Sequence, residues 1–223
     1  MAASPSAGPD QSQQDLSAHW IWANVIAAAV AVVLGLMVFG VRQMLDLPDP
    51  DAGVGAKAVL FAAEVANAVI ALAVYAVRTG EVLELKLPRF PALTWTALHV
   101  LIGLALGLFF AISELGASPT PSEVPEQSLI VGFAIGGIVA GAILGAVLGA
   151  LQALVLRKVV REIGGWVQWS ALAGTTLGSY ALVLLIGNEP ALGNEILTEL
   201  VSFGASVASG ILMLPALHRL QPK

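Results

Sequence analysis

The sequence predicts an all-α integral membrane protein with six transmembrane helices. Hydrophobic residues make up 57% of the 223 residues and charged residues only 11%, which is too little polar side chain to cover a soluble domain of this length. The chain also contains six apolar runs of about 20 residues, the length that a helix needs to cross a hydrocarbon core of about 30 Å. These runs are 20–41, 56–77, 92–112, 128–156, 166–186 and 196–217.

The segment 1–17, ahead of the first run, is rich in Ser, Gln, Pro and Ala and lacks the basic residues that open a secretory signal. The run behind it is too long for the hydrophobic part of a signal peptide, so we expect an uncleaved first span. The polar composition of 1–17 predicts a disordered cytoplasmic tail. We expect the rest, 18–221, to form one transmembrane domain.

The positive charges predict the direction of the helices. Eight of the ten Lys and Arg residues follow an even-numbered run: Arg78, Lys86, Arg89, Arg157, Lys158, Arg161, Arg219 and Lys223. Only Arg42 and Lys57 lie on the opposite side, where the loops are acidic. Because cytoplasmic loops carry an excess of Lys and Arg, both termini are predicted to face the cytoplasm, at a bacterial inner membrane.

All five tryptophans open odd-numbered runs: Trp20, Trp22, Trp95, Trp166 and Trp169. Indole rings favour the boundary between hydrocarbon and water, where one edge of the ring is wet and the rest is apolar. The sequence therefore predicts that these five residues anchor the helices at the cytoplasmic interface.

Three short strings that begin at Trp22, Trp95 and Trp169 recur at intervals of 73 and 74 residues. Each is followed by an outward run, an acidic loop and a return run that ends in arginine. This pattern predicts three pseudo-repeated αα-hairpins, over about 18–79, 92–161 and 166–221. The alternative is that Trp and Arg recur at the interface in any membrane hairpin.

Glycines recur every four residues in the fourth run, at Gly137, Gly141, Gly145 and Gly149. A stripe of this spacing lets a neighbouring helix backbone approach closely, so we predict that these residues pack against another helix. A pore-lining face is the alternative interpretation.

The glycine stripe leads to Gln152 and, after four further residues, to Arg157, followed by a span that opens with Trp166. This arrangement resembles a hairpin of uncharacterised bacterial polytopic membrane proteins, which also end on a Gly-rich span similar to 204–217. The resemblance covers about 132–217 and departs at Ala153, where that pattern often has an aromatic residue. It implies an architecture and no activity.

Polar residues inside the apolar runs are functional candidates, since a charge in hydrocarbon must be paired or hydrated. Glu64 and Asn67 share a face of the second run, and His99 lies in the third. We expect each group to be hydrogen-bonded to a neighbouring helix, or Glu64 to pair with Arg42 in a structural ion pair. The alternative is a path from Glu64 through Asn67 to His99 that relays protons or binds a cation.

Gln152 and Pro215 each lie about one turn from a cytoplasmic arginine. A proline within a helix frees the carbonyl four residues earlier, here that of Ile211. We expect Gln152 to satisfy such a carbonyl across the bundle. A gate or hinge at the cytoplasmic end is the alternative.

Several classes of function are excluded by the residues. The net charge of −5 argues against nucleic acid binding, and the lack of cysteine removes thiolate chemistry. The string Gly204-Ala-Ser206 is similar to the serine motif of rhomboid-type proteases but departs at Val207. The only histidine after it, His218, lies on the same helix, and pairing Ser206 with His99 would reverse the usual chain order. Asp46, Asp49 and Asp51 lack the glycine turn of a calcium loop. We therefore predict no catalytic residues, no metal site and no cofactor.

The function that remains is a non-enzymatic scaffold or accessory subunit. The dense small-residue faces and short loops predict a chain that packs in the lipid bilayer against itself or against another membrane protein. The alternative is a small channel or transporter for an ion, a proton or a small neutral solute that uses Glu64.

Overall fold

The computed structural model describes residues 9–45, 53–116, 127–163, 165–176 and 192–223, and this part of the chain is all α. The helices are α1 (Pro9–Met44), α2 (Val54–Lys86), α3 (Ala92–Gly116), α4 (Gln127–Leu156), α5 (Trp166–Gly174), α6 (Leu192–Leu212) and α7 (Leu214–Arg219). Among the described residues, the only β pairing is an isolated antiparallel bridge between Val160 and Pro222.

Five helical segments in the described ranges are long and apolar enough to cross a membrane, which fits a multi-pass membrane protein. They are Gln13–Met44, Val54–Lys86, Ala92–Ile112, Ala134–Leu156 and Ile196–Arg219. The sequence predicts six. The remaining run, 166–186, is described only as far as Thr176, and its second half lies outside the described residues.

The first helix corrects the prediction of a disordered tail over 1–17. α1 begins at Pro9, so the second half of this tail is helical, whereas 1–8 lies outside the described residues. Proline is well tolerated at the start of a helix, and the Gln and Ala residues that follow favour the helical state. Ser17 is held in place because its Oγ lies 2.8 Å from His218 Nε2.

The helices pack in chain order around a ring. α2 lies between α1 and α3 and packs along both, α4 packs along α5, and α6 packs along α1 and meets α5. Contact between α3 and α4 is slight by comparison, in the described ranges. The predicted hairpin over 92–161 is therefore not a tightly packed unit, because α3 finds its main partner in α2.

Glycine explains which pairs are tight. A Cβ added at Gly103 would lie 2.8 Å from the carbonyl oxygen of Ala68, so α3 approaches the backbone of α2 at a distance that other residues would prevent. On α4, Gly145 and Gly149 contact Ser170 of α5 in the same way. Because glycine has no side chain, two helix backbones can lie in direct contact at these positions.

The glycine stripe of α4 is used inside the chain. Gly141 contacts Gly174 of α5 through its backbone, continuing the contact made by Gly145 and Gly149. Gly137 is half-buried. Gly132 and Gly136 form a second glycine pair, one residue out of step with the stripe and therefore on a neighbouring face of the helix. Among the described residues, nothing lies within 4 Å of a Cβ built on either of these two.

The hydrophobic core lies at one end of the bundle, which we call the tryptophan end because Trp20, Trp95 and Trp166 lie in it. Buried side chains from α2, from the α4–α5 connection and from α7 surround these rings, and Leu217 is fully buried among them. The C-terminal residues close this end. Arg161 N donates to the Gln221 carbonyl, and Lys223 N donates to the Val159 carbonyl.

Candidate functional site

Three tryptophans meet in the core, although they come from the starts of three different helices. Trp20, Trp95 and Trp166 are each 0% exposed. The ring of Trp166 lies edge-on between the other two, at centroid distances of 6.2 Å to Trp20 and 6.3 Å to Trp95. Edge-to-face contact at this distance places the positive edge of one ring on the negative face of the next.

This burial corrects the predicted role of three of the five tryptophans as interface anchors. An anchor needs an exposed ring, which Trp22 has at 64% exposure and Trp169 has in part. The three buried rings instead contact protein, because a large ring is stabilised in a core when its N–H finds an acceptor there. Of the three rings in contact, only Trp95 begins one of the repeated strings, and the threefold repeat stays a prediction.

Each buried indole N–H has an acceptor. Trp20 Nε1 donates to the Gly210 carbonyl at 2.9 Å, and Trp95 Nε1 donates to Thr79 Oγ1 at 3.2 Å. Trp166 Nε1 donates to Gln152 Oε1 at 2.8 Å. Since an unpaired buried donor costs about 1–3 kcal/mol, these three bonds decide how the rings are oriented.

His99 extends the network from α3 to α4. Its Nε2 lies 3.0 Å from Gln152 Nε2, and its Nδ1 lies 2.8 Å from the Trp95 carbonyl. A neutral imidazole satisfies both bonds: Nδ1–H donates to the carbonyl, and Nε2 accepts a hydrogen bond from the Gln152 amide. Gln152 is thereby oriented at both ends, because its oxygen already accepts from Trp166.

The network consequently joins α3, α4 and α5 at the tryptophan end. His99 and Gln152 are 2% and 7% exposed, and the ring of Tyr75 on α2 lies 5.4 Å from that of His99. This is the place where α3 and α4, which otherwise make slight contact, are held together. A buried polar network with every partner present rigidifies a core and fixes one arrangement.

The observed partners of Gln152 correct the expectation that it satisfies a carbonyl freed by Pro215. The helix does break near this proline, between α6 and α7, at Met213. The carbonyl that receives a side-chain donor at the break is that of Gly210, and the donor is Trp20. Trp20 thus reaches the carbonyl of Gly210 and not that of Ile211, which the sequence predicted to be freed.

Glu64 lies far from this network and is paired with Arg42. Arg42 Nη2 lies 2.6 Å from Glu64 Oε1, with 31% of the arginine side chain and 13% of the glutamate side chain exposed. The charge-assisted bond joins α1 to α2. This is the structural ion pair that the sequence offered as an alternative to a proton path.

The path from Glu64 through Asn67 to His99 does not form in the described structure. Gly103, one turn beyond His99, packs against Ala68 and Val69. With this register and a rise of 1.5 Å per residue, His99 lies about 12 Å from Glu64 along the bundle axis. Asn67 lies between the two levels, and it hydrogen-bonds to neither residue.

Glu199 is a second carboxylate that the sequence interpretation assigned to the acidic side of the membrane. In the structure it lies one turn into the fifth spanning segment and packs directly against Gly35 of α1. A side chain at Gly35 would overlap the carboxylate. The signal was present in the sequence, since a glycine within a run of bulky residues indicates close approach of another group.

Among the described residues, no group of three or more His, Asp and Glu side chains is arranged to hold a metal ion. No family model, no curated protein and no solved structure matches this chain. The resemblance over 132–217 therefore stays a prediction. What the described arrangement does chemically is to satisfy its buried polar groups within the chain.

Proposed function

We propose that this chain is a non-enzymatic membrane scaffold or accessory subunit that packs against other membrane helices. The observation that carries the proposal is the pairing of the candidate reactive groups with one another. Glu64 is neutralised by Arg42, and His99, Gln152 and Trp166 complete one another's hydrogen bonds. A substrate site requires polar groups that are left available to the substrate, so this internal pairing supports a structural role.

The second glycine pair of α4, Gly132 and Gly136, is the surface that we propose for the partner helix. The two residues have the four-residue spacing that Gly145 and Gly149 use against α5, and no neighbour in the described part of the chain lies within 4 Å of a Cβ built on them. A helix with small residues at the same spacing fits such a groove. The partner in this proposal is a transmembrane helix of a second copy or of another membrane protein.

The proposed setting is a bacterial inner membrane crossed six times, with the tryptophan end and both termini in the cytoplasm. The positive charges of α2, of the α4–α5 connection and of the C-terminus support this orientation, since they gather at the tryptophan end. In this proposal α5 continues through 166–186 as the sixth span.

The test is extraction from the native membrane in mild detergent, followed by mass spectrometry of the intact particle. We expect a partner at constant stoichiometry, and we expect Gly136→Leu to release it because the added side chain fills the groove. The matched control is Val139→Leu, which enlarges a side chain that is already exposed on the same helix. A monodisperse monomer from the wild-type chain would contradict the proposal.

A second candidate function, transport of a cation or proton, is favoured by the positions of Glu64 and Glu199. Gly35 and Arg42 lie two turns apart on one face of α1, so the two carboxylates face the same helix. If Glu64 takes part in transport, Glu64→Gln should reduce flux in reconstituted vesicles between about pH 5 and pH 8. Glu84→Gln, which changes an exposed carboxylate at the other end of α2, is the control. Unaltered flux would remove this role.

A further inference from the structure

A cleft opens between α1 and α2 at the tryptophan end, beside the packed core. Its volume is about 240 Å³. The side chains of His19, Trp22 and Ile26 line it from α1, and those of Arg78, Glu81 and Leu85 line it from α2. The volume is below the roughly 300–1,000 Å³ of pockets for drug-sized ligands, so the cleft suits a small polar group with an apolar continuation.

The cleft presents one cationic and one anionic group side by side. Arg78 Nη1 lies 3.1 Å from Glu81 Oε2, and the two side chains are 45% and 56% exposed. A guanidinium has five N–H donors, so Arg78 retains donors for a further anion, and the carboxylate retains lone pairs for a further donor. Trp22 provides an exposed indole face beside them.

His19 adds a second acceptor at the open end. Its Nδ1 lies 2.6 Å from the Asp15 carbonyl, to which it donates. In the neutral ring Nε2 is then an acceptor. The cleft therefore combines one strong donor with two acceptors and carries little net charge, a pattern that matches a zwitterion better than an anion.

The depth of these groups gives the ligand a direction. α1 begins at the tryptophan end and α2 ends there, so Ile26 and Arg78 lie deeper in the bundle than His19 and Leu85. Glu81 is one turn nearer the end than Arg78. In an aminophospholipid the phosphate is attached to the glycerol, and the ammonium lies two carbons further out. Along α2, the positive Arg78 lies at the deeper level, where the phosphate is expected, and the negative Glu81 lies further out, where the ammonium is expected.

We propose that this cleft binds the phosphoethanolamine headgroup of a membrane phospholipid. Arg78 binds the phosphate, and Glu81 and His19 accept hydrogen bonds from the ammonium. The side chains of Trp22 and Ile26 contact the glycerol and the first methylenes. A phosphatidylglycerol headgroup has no ammonium for Glu81, and a quaternary choline has no N–H to donate. The site requires insertion of the helices in a bilayer but not the partner helix proposed above.

The experiment is native mass spectrometry of the full chain released from nanodiscs that contain equal amounts of phosphatidylethanolamine, phosphatidylglycerol and phosphatidylcholine. We expect one phosphatidylethanolamine to be retained preferentially. Arg78→Gln and Glu81→Gln should each lower its retention about tenfold, the loss of one charge-assisted hydrogen bond. Equal retention of the three lipids by the wild-type chain would overturn the proposal.

Two further variants separate recognition from folding. Arg78→Glu combined with Glu81→Arg keeps the ion pair on the exposed face but reverses its direction, so we expect phosphatidylethanolamine retention to be lost while the unfolding transition is unchanged. The matched control is Glu84→Gln, an exposed carboxylate on the same helix that does not line the cleft. Wild-type lipid preference in the reversed variant would also overturn the proposal.

A third arm distinguishes the lipid from a soluble ester with the same headgroup chemistry. Water-soluble phosphoethanolamine is added at the same concentration as the lipid. We expect it to leave the lipid bound, because it lacks the methylenes that contact Ile26 in the deeper part of the cleft. Full displacement by the soluble ester would overturn the assignment to a membrane lipid. We expect Gly136→Leu to lose the partner helix and to retain the lipid, because the two proposed sites are separate. A wild-type chain that binds no partner but retains phosphatidylethanolamine would contradict the proposed function and leave the lipid site supported.

Discussion

The two ends of the helix bundle satisfy their polar groups in different ways. At the tryptophan end, neutral groups from α2, α3, α4 and α5 hydrogen-bond one another within a packed aromatic core. At the other end, a charged pair joins α1 to α2, and both of its side chains are partly exposed. The hydrogen-bond network links four helices, whereas the Arg42–Glu64 bond links two.

The difference shows where this fold is specified. Lipid is as apolar as leucine, so helices in a membrane gain little from apolar burial alone and depend on close packing and polar contacts. The tryptophan end has both of these, from the three rings and from the His99–Gln152 bond. We therefore expect changes at this end to cost the most, and changes at the Arg42–Glu64 pair to cost the least.

The largest effect is expected for Trp166→Ala. This change removes the middle ring of the three and leaves Gln152 Oε1 without its donor, so we expect the free energy of unfolding to fall by about 4 kcal/mol. The measurement is reversible unfolding in mixed micelles. Trp22→Ala, which removes an exposed ring, is the control and should change stability by less than about 1 kcal/mol. Equal losses of unfolding free energy in Trp166→Ala and Trp22→Ala would mean that the buried tryptophan core does not stabilise the fold more than an exposed ring does.

Gly145→Leu should come next, at about 3 kcal/mol, because the new side chain overlaps the Ser170 carbonyl and forces α4 away from α5. The same unfolding assay applies. Gly136→Leu places the same side chain on the same helix where no described residue lies within 4 Å, so the isolated protein should lose almost no stability. A large loss for Gly136→Leu would show that the second glycine pair is needed for folding.

Gln152→Leu tests the polar network without removing a ring. It leaves Trp166 Nε1 and His99 Nε2 buried without partners, and we expect a loss of about 2 kcal/mol. Combining it with His99→Phe removes one of the two unpaired atoms, so the double variant should lose less than the sum of the single variants. Strict additivity in this cycle would mean that the His99–Gln152 bond contributes nothing.

The smallest effect is expected for Glu64→Gln, at about 1 kcal/mol or less, because partly exposed ion pairs are weak. Stability is measured in the same micelles, with Glu81→Gln in the exposed pair as the reference. A loss of 3 kcal/mol or more would mean that the ion pair stabilises the bundle as strongly as the tryptophan end does, which would break the comparison.

Most of the helix positions could be predicted from the sequence because hydropathy and length are local properties. Five of the six runs correspond to helices that are able to span a membrane, and the Gly145 and Gly149 contacts follow from their spacing. The candidate polar residues were also identifiable one by one. Their hydrogen-bond partners could be predicted only in part. The sequence offered the Arg42–Glu64 pair as one possibility, but it did not indicate the bond between His99 and Gln152.

By itself, the sequence determined where five apolar helices lie along the chain and at which end the positive charges gather. Only the tertiary structure decided that Trp20, Trp95 and Trp166 are buried, that Glu199 lies on Gly35 and that α3 packs along α2 rather than α4. The reason is physical. A helix forms from hydrogen bonds within four residues, whereas the neighbour of a side chain depends on how helices far apart in the chain pack together.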